Sequence, residues 1–216
     1  DWNVQLSASA SQGDRILSIP SNIILSGTRI MRELNGCDGY QDAVSYIRQR
    51  NFEDELDQFF LWIKILHEFE KGETSIWYPW IQSLPRQFDM ALYYDPVEME
   101  CLPPYAWSLA KLQQLHLEVF SVALGLMPSI VKEETRNDSN LLRWALAVVF
   151  TRCWGHENHE AGETCHIAPL GDMLNHADKA TTVLQYDDED NCNIILKSDV
   201  EAGHPLSLCY GGTTNP

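Results

Sequence analysis

Two short stretches carry the side chains best suited to chemistry. The first is APLGDMLNHADKATT, Ala168 to Thr182, which sets Asp172, Asn175 and His176 behind an apolar run and ahead of a turn-rich segment. An Asn-His pair in that setting offers an amide, an imidazole and two backbone groups to a polar ligand. The second is LSLCYGGTTNP at the end of the chain, where Tyr210 closes a strand-like run and Gly211-Gly212 follow. Paired glycines let backbone approach a ligand closely. Taken singly, Asn175-His176 also reads as a satisfied turn, and Tyr210 as a half-buried strand aromatic.

A third stretch, CWGHENHEAGETCH, brings Cys153, His156, His159, Cys165 and His166 into fourteen residues. These are zinc-type ligands, and a structural site needs four of them in a tetrahedron. The spacing C-x2-H-x2-H-x5-C-H matches no familiar finger, and the interleaved Gly and Glu suggest a flexible surface loop, so no metal is expected. Nucleophilic hydrolase chemistry lacks its G-x-S-x-G elbow. No Walker or dinucleotide-binding glycine loop is present.

The elements that must position these residues fall into three zones. Up to about residue 27, RILSIPSNIILSG reads as short strands broken by Pro20 and Gly27. From 28 to 139 the chain reads as mostly helical. In EDELDQFFLWIKILHEFEKG, Leu56, Phe59, Phe60, Ile63 and Leu66 repeat on one helical face, with Asp54 and Glu55 in the first turn and Gly72 as the stop. AWSLAKLQQLHLEVFSVAL is a second long helix, and NLLRWALAVVFTRCW a third, capped by Asp138 or Ser139. From Cys153 onward the chain reads as irregular and strand-rich, with Asp187–Asn191 as a hairpin tip. The pattern is a β-rich unit interrupted by a helical insert.

Composition narrows the function classes. Hydrophobic residues are 44% and charged residues 21%, which suits a globular chain with a real core. No apolar run approaches the roughly 18 residues of a membrane span, so no membrane partner is expected. The net charge of −16, from 31 acidic and 15 basic residues, argues against nucleic acid, whose binders neutralise phosphates. It suits a basic protein segment as partner, although plain solubility explains it too. The six cysteines lack a framework spacing and point to reduced thiols inside the cell, with cytoplasm, nucleus and plastid left open. The opening DWNVQLSASASQGD lacks a signal-peptide pattern and reads as the inside of a strand, so residues ahead of Asp1 are expected.

In order and spacing, LRWALAVVFTRCW, then IAPLGDMLNHADKA, then VEAGHPLSLCYGGTTN resemble the SET-domain protein methyltransferases. The match is to the group with a helical insert typified by the Rubisco large-subunit lysine methyltransferase. SQGDRILSIPSNIILSG resembles its turn-strand-Pro segment, and LHEFEKGETSIWYPWIQSLPRQFDMALYY its insert. The resemblance implies an α+β fold of small twisted sheets with a C-terminal pseudoknot, divided as 1–27 (N-terminal SET part), 28–139 (insert) and 140–216 (C-terminal SET part). It implies S-adenosylmethionine as cofactor, held by Asn175 and His176 partly through backbone atoms. It implies Tyr210 as the catalytic tyrosine, Thr151, Trp154 and Asp172 near the substrate lysine channel, and Arg152 in a structural role beside the site. The activity implied is methyl transfer to a protein lysine by a monomer. A histidine acceptor and an inactive SET-like interaction module stay open beside it. Trp154 leans towards lysine, since a histidine acceptor would gain from a polar group there. Departures from the family pattern are the missing Gly-x-Gly segment near the start and His204-Pro205 in place of an acidic residue after Ala202-Gly203.

Overall fold

The computed structural model describes residues 3–158 and 162–211. In chain order these form β1 (Arg15–Ile19), β2 (Leu25–Ser26), α1 (Gly27–Leu34), α2 (Tyr40–Gln49), α3 (Leu56–Lys71), α4 (Tyr78–Ser83), α5 (Pro96–Glu100), α6 (Pro104–Gly125), α7 (Glu133–Asn137), α8 (Ser139–Arg152), β3 (Trp154–Asn158), β4 (Gly162–Ile167), β5 (Asn175–His176), β6 (Thr182–Tyr186), β7 (Cys192–Leu196) and β8 (Ser207–Leu208). The chain divides into two compact units, Asp1–Leu25 with His166–Pro216, and Ser26–Cys165.

The first unit is built on an antiparallel sheet in the order β1-β7-β6. Its central strand β7 is CNIIL, almost wholly buried, while β6 alternates between inward and outward residues. That contrast follows from position, since a central strand is covered more fully than an edge strand. Asp187 organises the hairpin between them. Its Oδ1 accepts the backbone N–H of Glu189 (3.1 Å) and of Asn191 (3.0 Å), and its Oδ2 accepts the side-chain amides of Asn191 and Asn193, each at 3.1 Å. These bonds, led by that from Asn193, hold the Asp187 carboxyl below its ordinary range. The expected hairpin tip is therefore an Asp-centred turn, with Asp190 in the left-handed region at φ 60°. Isolated bridges, Gln5 to Pro205 and Ala10 to Val200, tie the first residues to the last part of the chain.

The second unit is helical around α3. The spacing predicts one buried face, yet Leu61, Trp62 and Ile65 are as buried as Phe59, Phe60, Ile63 and Leu66. Neighbours enclose α3 from several sides, so its sequence is apolar beyond a single stripe. Trp62 donates its indole N–H to the Leu142 carbonyl of α8 at 2.9 Å, and its ring lies 5.9 Å from Phe120 of α6. Gly27 opens α1 hard against α3, where a Cβ would sit 2.6 Å from the Cβ of Asp57. Helix α3 begins at Leu56, so Asp54 and Glu55 lie in a preceding 3-10 turn and Asp57 is the acid of its first turn. Gly72 ends it at φ 54°. Asp138 is the cap of α8, accepting from Asn140 N (3.0 Å) and Leu141 N (3.1 Å).

Glu68 of α3 is a buried carboxylate, 2% exposed. Lys71 Nζ lies 2.6 Å away, Ser75 Oγ donates at 2.7 Å, and Lys64 Nζ is 3.5 Å away. Burial would raise its carboxyl, but these bonds and charges outweigh burial and hold it below the usual value of 4.5. A depressed folded pKa contributes stability above the unfolded value and loses it as pH falls through the folded one. Glu68→Gln is therefore expected to cost about 1.5–3 kcal/mol at pH 7. The gap from wild type should narrow as pH falls below about 4.5, and urea unfolding at pH 7 and pH 3.5 checks both parts.

Candidate active site around Asn175, His176 and Tyr210

The segment leading to Asn175 is strained by design of the chain path. Leu170 sits at φ 76°, ψ −40°, a region that side chains rarely occupy. A 3-10 turn, Gly171–Met173, follows it. Gly171 is buried, and a Cβ there would approach Ile19 Cδ1 to 3.1 Å. The turn sinks Leu174 into the core at 2% exposure and then delivers Asn175 and His176, both exposed, as strand β5. Asp172 lies within the 3-10 turn itself, half-buried, with its N–H on the Ala168 carbonyl at 3.1 Å.

Strand β8 supplies the other half. It pairs with β5 in parallel, Asn175 opposite Ser207 and His176 opposite Leu208, and Ala177 N donates to Leu208 O at 2.9 Å. Leu206 and Leu208 are buried and anchor the strand. Ser207 is fixed from the far side: its N–H donates to Thr181 Oγ1 (2.9 Å), and its carbonyl accepts from Thr182 Oγ1 (2.8 Å). This pairing is the part of the expected pseudoknot that the described residues contain.

Tyr210 emerges two residues past β8 and folds back onto β5. Its backbone N–H donates to His176 Nδ1 at 3.1 Å, and the two rings lie 5.2 Å apart at 44°. Its hydroxyl donates to the Leu174 carbonyl at 2.5 Å. The residue is 60% exposed, while its hydroxyl is tucked against the Leu174 backbone just ahead of β5. A phenol has one proton to give. With that proton on Leu174 O, the oxygen chemistry left to Tyr210 Oη is that of an acceptor. Gly211, at φ 101°, turns the chain directly afterwards.

The structure thus brings together Asn175, His176 and Tyr210, with Asp172 three residues upstream of Asn175. Thr151, Arg152 and Trp154 belong to the second unit. There Thr151 is exposed, with its hydroxyl on the Ala147 carbonyl at 2.7 Å near the end of α8. Arg152 is the last residue of α8, and Trp154, half-buried, opens β3. Sequence reasoning missed Leu174, whose carbonyl takes the Tyr210 hydroxyl, and Asp178, whose Oδ1 lies 3.3 Å from His176 Nε2. A backbone carbonyl leaves no signature in sequence, but an Asp two residues past a His is visible there.

The Cys/His stretch is a correction. Instead of a loop, it contains two strands, β3 and β4, which lie side by side in a sheet of order β2-β4-β3. Cys165 and His166 are consecutive in β4, so their side chains leave opposite faces and cannot share one tetrahedral ligand set. Cys153 pairs with Cys165, and that hydrogen bond, with burial, raises its thiol far above the usual range. His166 is buried and lies 3.3 Å from the Tyr186 hydroxyl through Nδ1. His159 lies outside the described residues, as does Gly212. Among the described residues no three Cys, His, Asp or Glu side chains converge as a metal site.

No family model matches the chain. Among curated proteins, it is 27% identical over 150 residues to the actin-histidine N-methyltransferase of Rattus norvegicus and 26% identical over 154 residues to that of Homo sapiens. Each match covers 66% of this chain, which spans 25% of the length of those relatives. Among solved structures, the SET domain of LSMT bound to lysine and AdoHcy superposes with a TM-score of 0.69 at 14% identity, covering 97% of this chain and 47% of that one. Rubisco LSMT bound to AdoMet superposes at 0.66 with 15% identity, over 95% and 45%. With superpositions of this quality over nearly all of its length, and with its helices and small sheets, the chain has the α+β SET-domain fold with a helical insert, as its resemblance to the Rubisco large-subunit methyltransferase group implies.

Proposed function

We propose that this chain is the catalytic part of an S-adenosylmethionine-dependent protein methyltransferase whose acceptor is a lysine. The observation that carries the reading is the Tyr210 hydroxyl, fixed beside Asn175-His176 with its own proton committed to Leu174 O. The cofactor supplies a methyl group on a positively charged sulfonium. The residues present fit such a group: Asn175 and His176 of β5 are exposed, and the Tyr210 hydroxyl, which gives its proton to Leu174 O, lies beside them. Acceptor oxygens suit the polarised C–H bonds of a sulfonium methyl. Asn175 and His176 would orient the cofactor partly through backbone groups, and Tyr210 Oη would sit against its methyl.

When bound, the cofactor would supply a methyl by in-line displacement, an N–C bond forming as the C–S bond breaks and its electron pair stays with sulfur. Little covalent help is needed, so alignment dominates, and it supplies roughly 7–11 kcal/mol in well-oriented systems. The acceptor nitrogen must first lose its proton, because a free lysine titrates near about 10.4. An apolar channel disfavours the ammonium and brings that value down. Trp154, which the resemblance puts at the substrate channel, is an apolar wall of this type. The net charge of −16 favours a basic protein segment as substrate. The six cysteines, all free thiols, support a reducing compartment inside the cell.

A second reading, a histidine acceptor on the same scaffold, is favoured by the names of the curated relatives. Transfer of labelled methyl from S-adenosylmethionine to protein, followed by acid hydrolysis, separates the two as methyllysine or methylhistidine. Absence of cofactor binding by calorimetry would leave an interaction module instead. Asn175→Ala is expected to weaken S-adenosylmethionine binding at least about 10-fold, the loss of one well-made hydrogen bond, while the circular dichroism spectrum stays unchanged. Unchanged affinity in that variant would remove Asn175 from the site.

A further inference from the structure

We propose that the His176 imidazole is a positioning residue for Tyr210, acting only in its neutral form with the proton on Nε2. The inference rests on the methyltransferase reading and assigns to the side chain a role separate from the cofactor contacts of the β5 backbone. A backbone amide can only donate, so Nδ1, which receives the Tyr210 N–H at 3.1 Å, carries a lone pair. The neutral ring then bears its proton on Nε2, and Asp178 Oδ1 lies 3.3 Å from that nitrogen. The amide donor on Nδ1 is enough to select that tautomer of the neutral ring.

The consequence falls on the hydroxyl. Three contacts to one short segment hold Tyr210 among others: its N–H on His176 Nδ1, its ring against the imidazole, and its Oη on Leu174 O. Two of the three depend on the His176 side chain. The flanking Gly211, at φ 101°, gives the backbone freedom to move once the amide contact goes. Protonating His176 places an N–H on Nδ1 opposite the Tyr210 N–H. Two donors then face each other, and the contact breaks. Asp178 and Lys179 are the charged groups along the ring's own segment, and Tyr210 and Cys209 the titratable ones on the β8 side. Methyl transfer that depends on the position of Oη therefore falls in acid because of this ring, apart from any protonation of the acceptor.

The experiment compares wild type, His176→Ala and His176→Asn in the full chain, with kcat measured between about pH 5 and pH 8, where imidazoles change charge. Asparagine Oδ1 takes the place of Nδ1 as an acceptor and does not titrate. His176→Ala is expected to lower kcat about 3- to 10-fold, with the Kd for S-adenosylmethionine within about 3-fold of wild type. His176→Asn recovers most of that loss and flattens the acid limb. Wild-type kcat in the Ala variant, or an acid limb that persists in the Asn variant, overturns the proposal. A large loss of cofactor affinity in the Ala variant also overturns it and makes the side chain part of the cofactor site. Ring-nitrogen NMR of the wild type is the readout that needs neither activity nor a folded variant. It should show an unprotonated Nδ1 and a Tyr210 amide that shifts together with His176 protonation, and a proton on Nδ1 at neutral pH sinks the idea. If no methyl transfer or cofactor binding exists at all, the functional reading fails, and the NMR result still decides the contact.

Discussion

Tyr210→Phe leaves S-adenosylmethionine affinity close to wild type and lowers turnover about 10- to 1,000-fold, that is roughly 1.4–4 kcal/mol. The size of the effect follows from what the hydroxyl touches. Its proton is on Leu174 O, and the ring lies against His176 whether or not the oxygen is present. Phenylalanine therefore keeps the packing and removes the oxygen to which the proposed function gives the positioning of the methyl. An interaction that strengthens as charge spreads from sulfur to nitrogen counts in the transition state and little in the ground state, so kcat falls and binding holds. The Leu174 carbonyl also loses its partner, which costs about 1 kcal/mol of stability and is read separately from a thermal melt. Wild-type turnover on a confirmed substrate would make Tyr210 a packing residue.

The parts of this fold that local pattern determines were open to reading from sequence, and those that depend on distant partners were not. Helices α6 and α8 are long runs of helix-forming and apolar residues with clear ends, and Asp138 is the kind of residue that caps a helix wherever it stands. The Asp187–Asn191 turn likewise carries its own hydrogen-bonding groups. Helix α3 was visible as a helix, but its burial on several sides depends on elements far along the chain, such as α8 at Leu142. Strands β3 and β4 were hidden because WGHEN and GETCHI have weak strand composition, and pairing with each other and with β2 makes them strands.

The candidate site divides in the same way. Asn175-His176 and Tyr210 stood out as residue types able to do chemistry, yet the contact between them spans 34 residues and depends on a parallel pairing of two-residue strands. Nothing periodic encodes such a pairing, and only the resemblance to a known family anticipated it. The strained Leu170 was invisible for a related reason. A leucine at φ 76° contradicts its own local preference, and sequence reasoning rests on local preference. Strain of that kind collects where the surrounding structure over-determines the backbone, here just ahead of the residues assigned to the cofactor.

Trp62→Ala destabilises the helical unit by about 3–5 kcal/mol, the range for truncating a fully buried large aromatic. Trp62 is 0% exposed and sits among Phe59, Phe120 and the α8 backbone. Two separate losses add up. The ring leaves a cavity that close-packed neighbours fill only in part, and the Leu142 carbonyl loses the indole N–H that reaches it at 2.9 Å. Trp62→Phe separates them, since it keeps most of the apolar volume and removes the donor, and it is expected to cost about 1–2 kcal/mol. Set against a total stability of about 5–15 kcal/mol for a natural domain, the alanine variant should lower the urea midpoint sharply and show a partly unfolded population at 37 °C. A cost below about 1 kcal/mol for Trp62→Ala would mean that the unit relaxes around the site, and that α3 is not the rigid centre its burial implies.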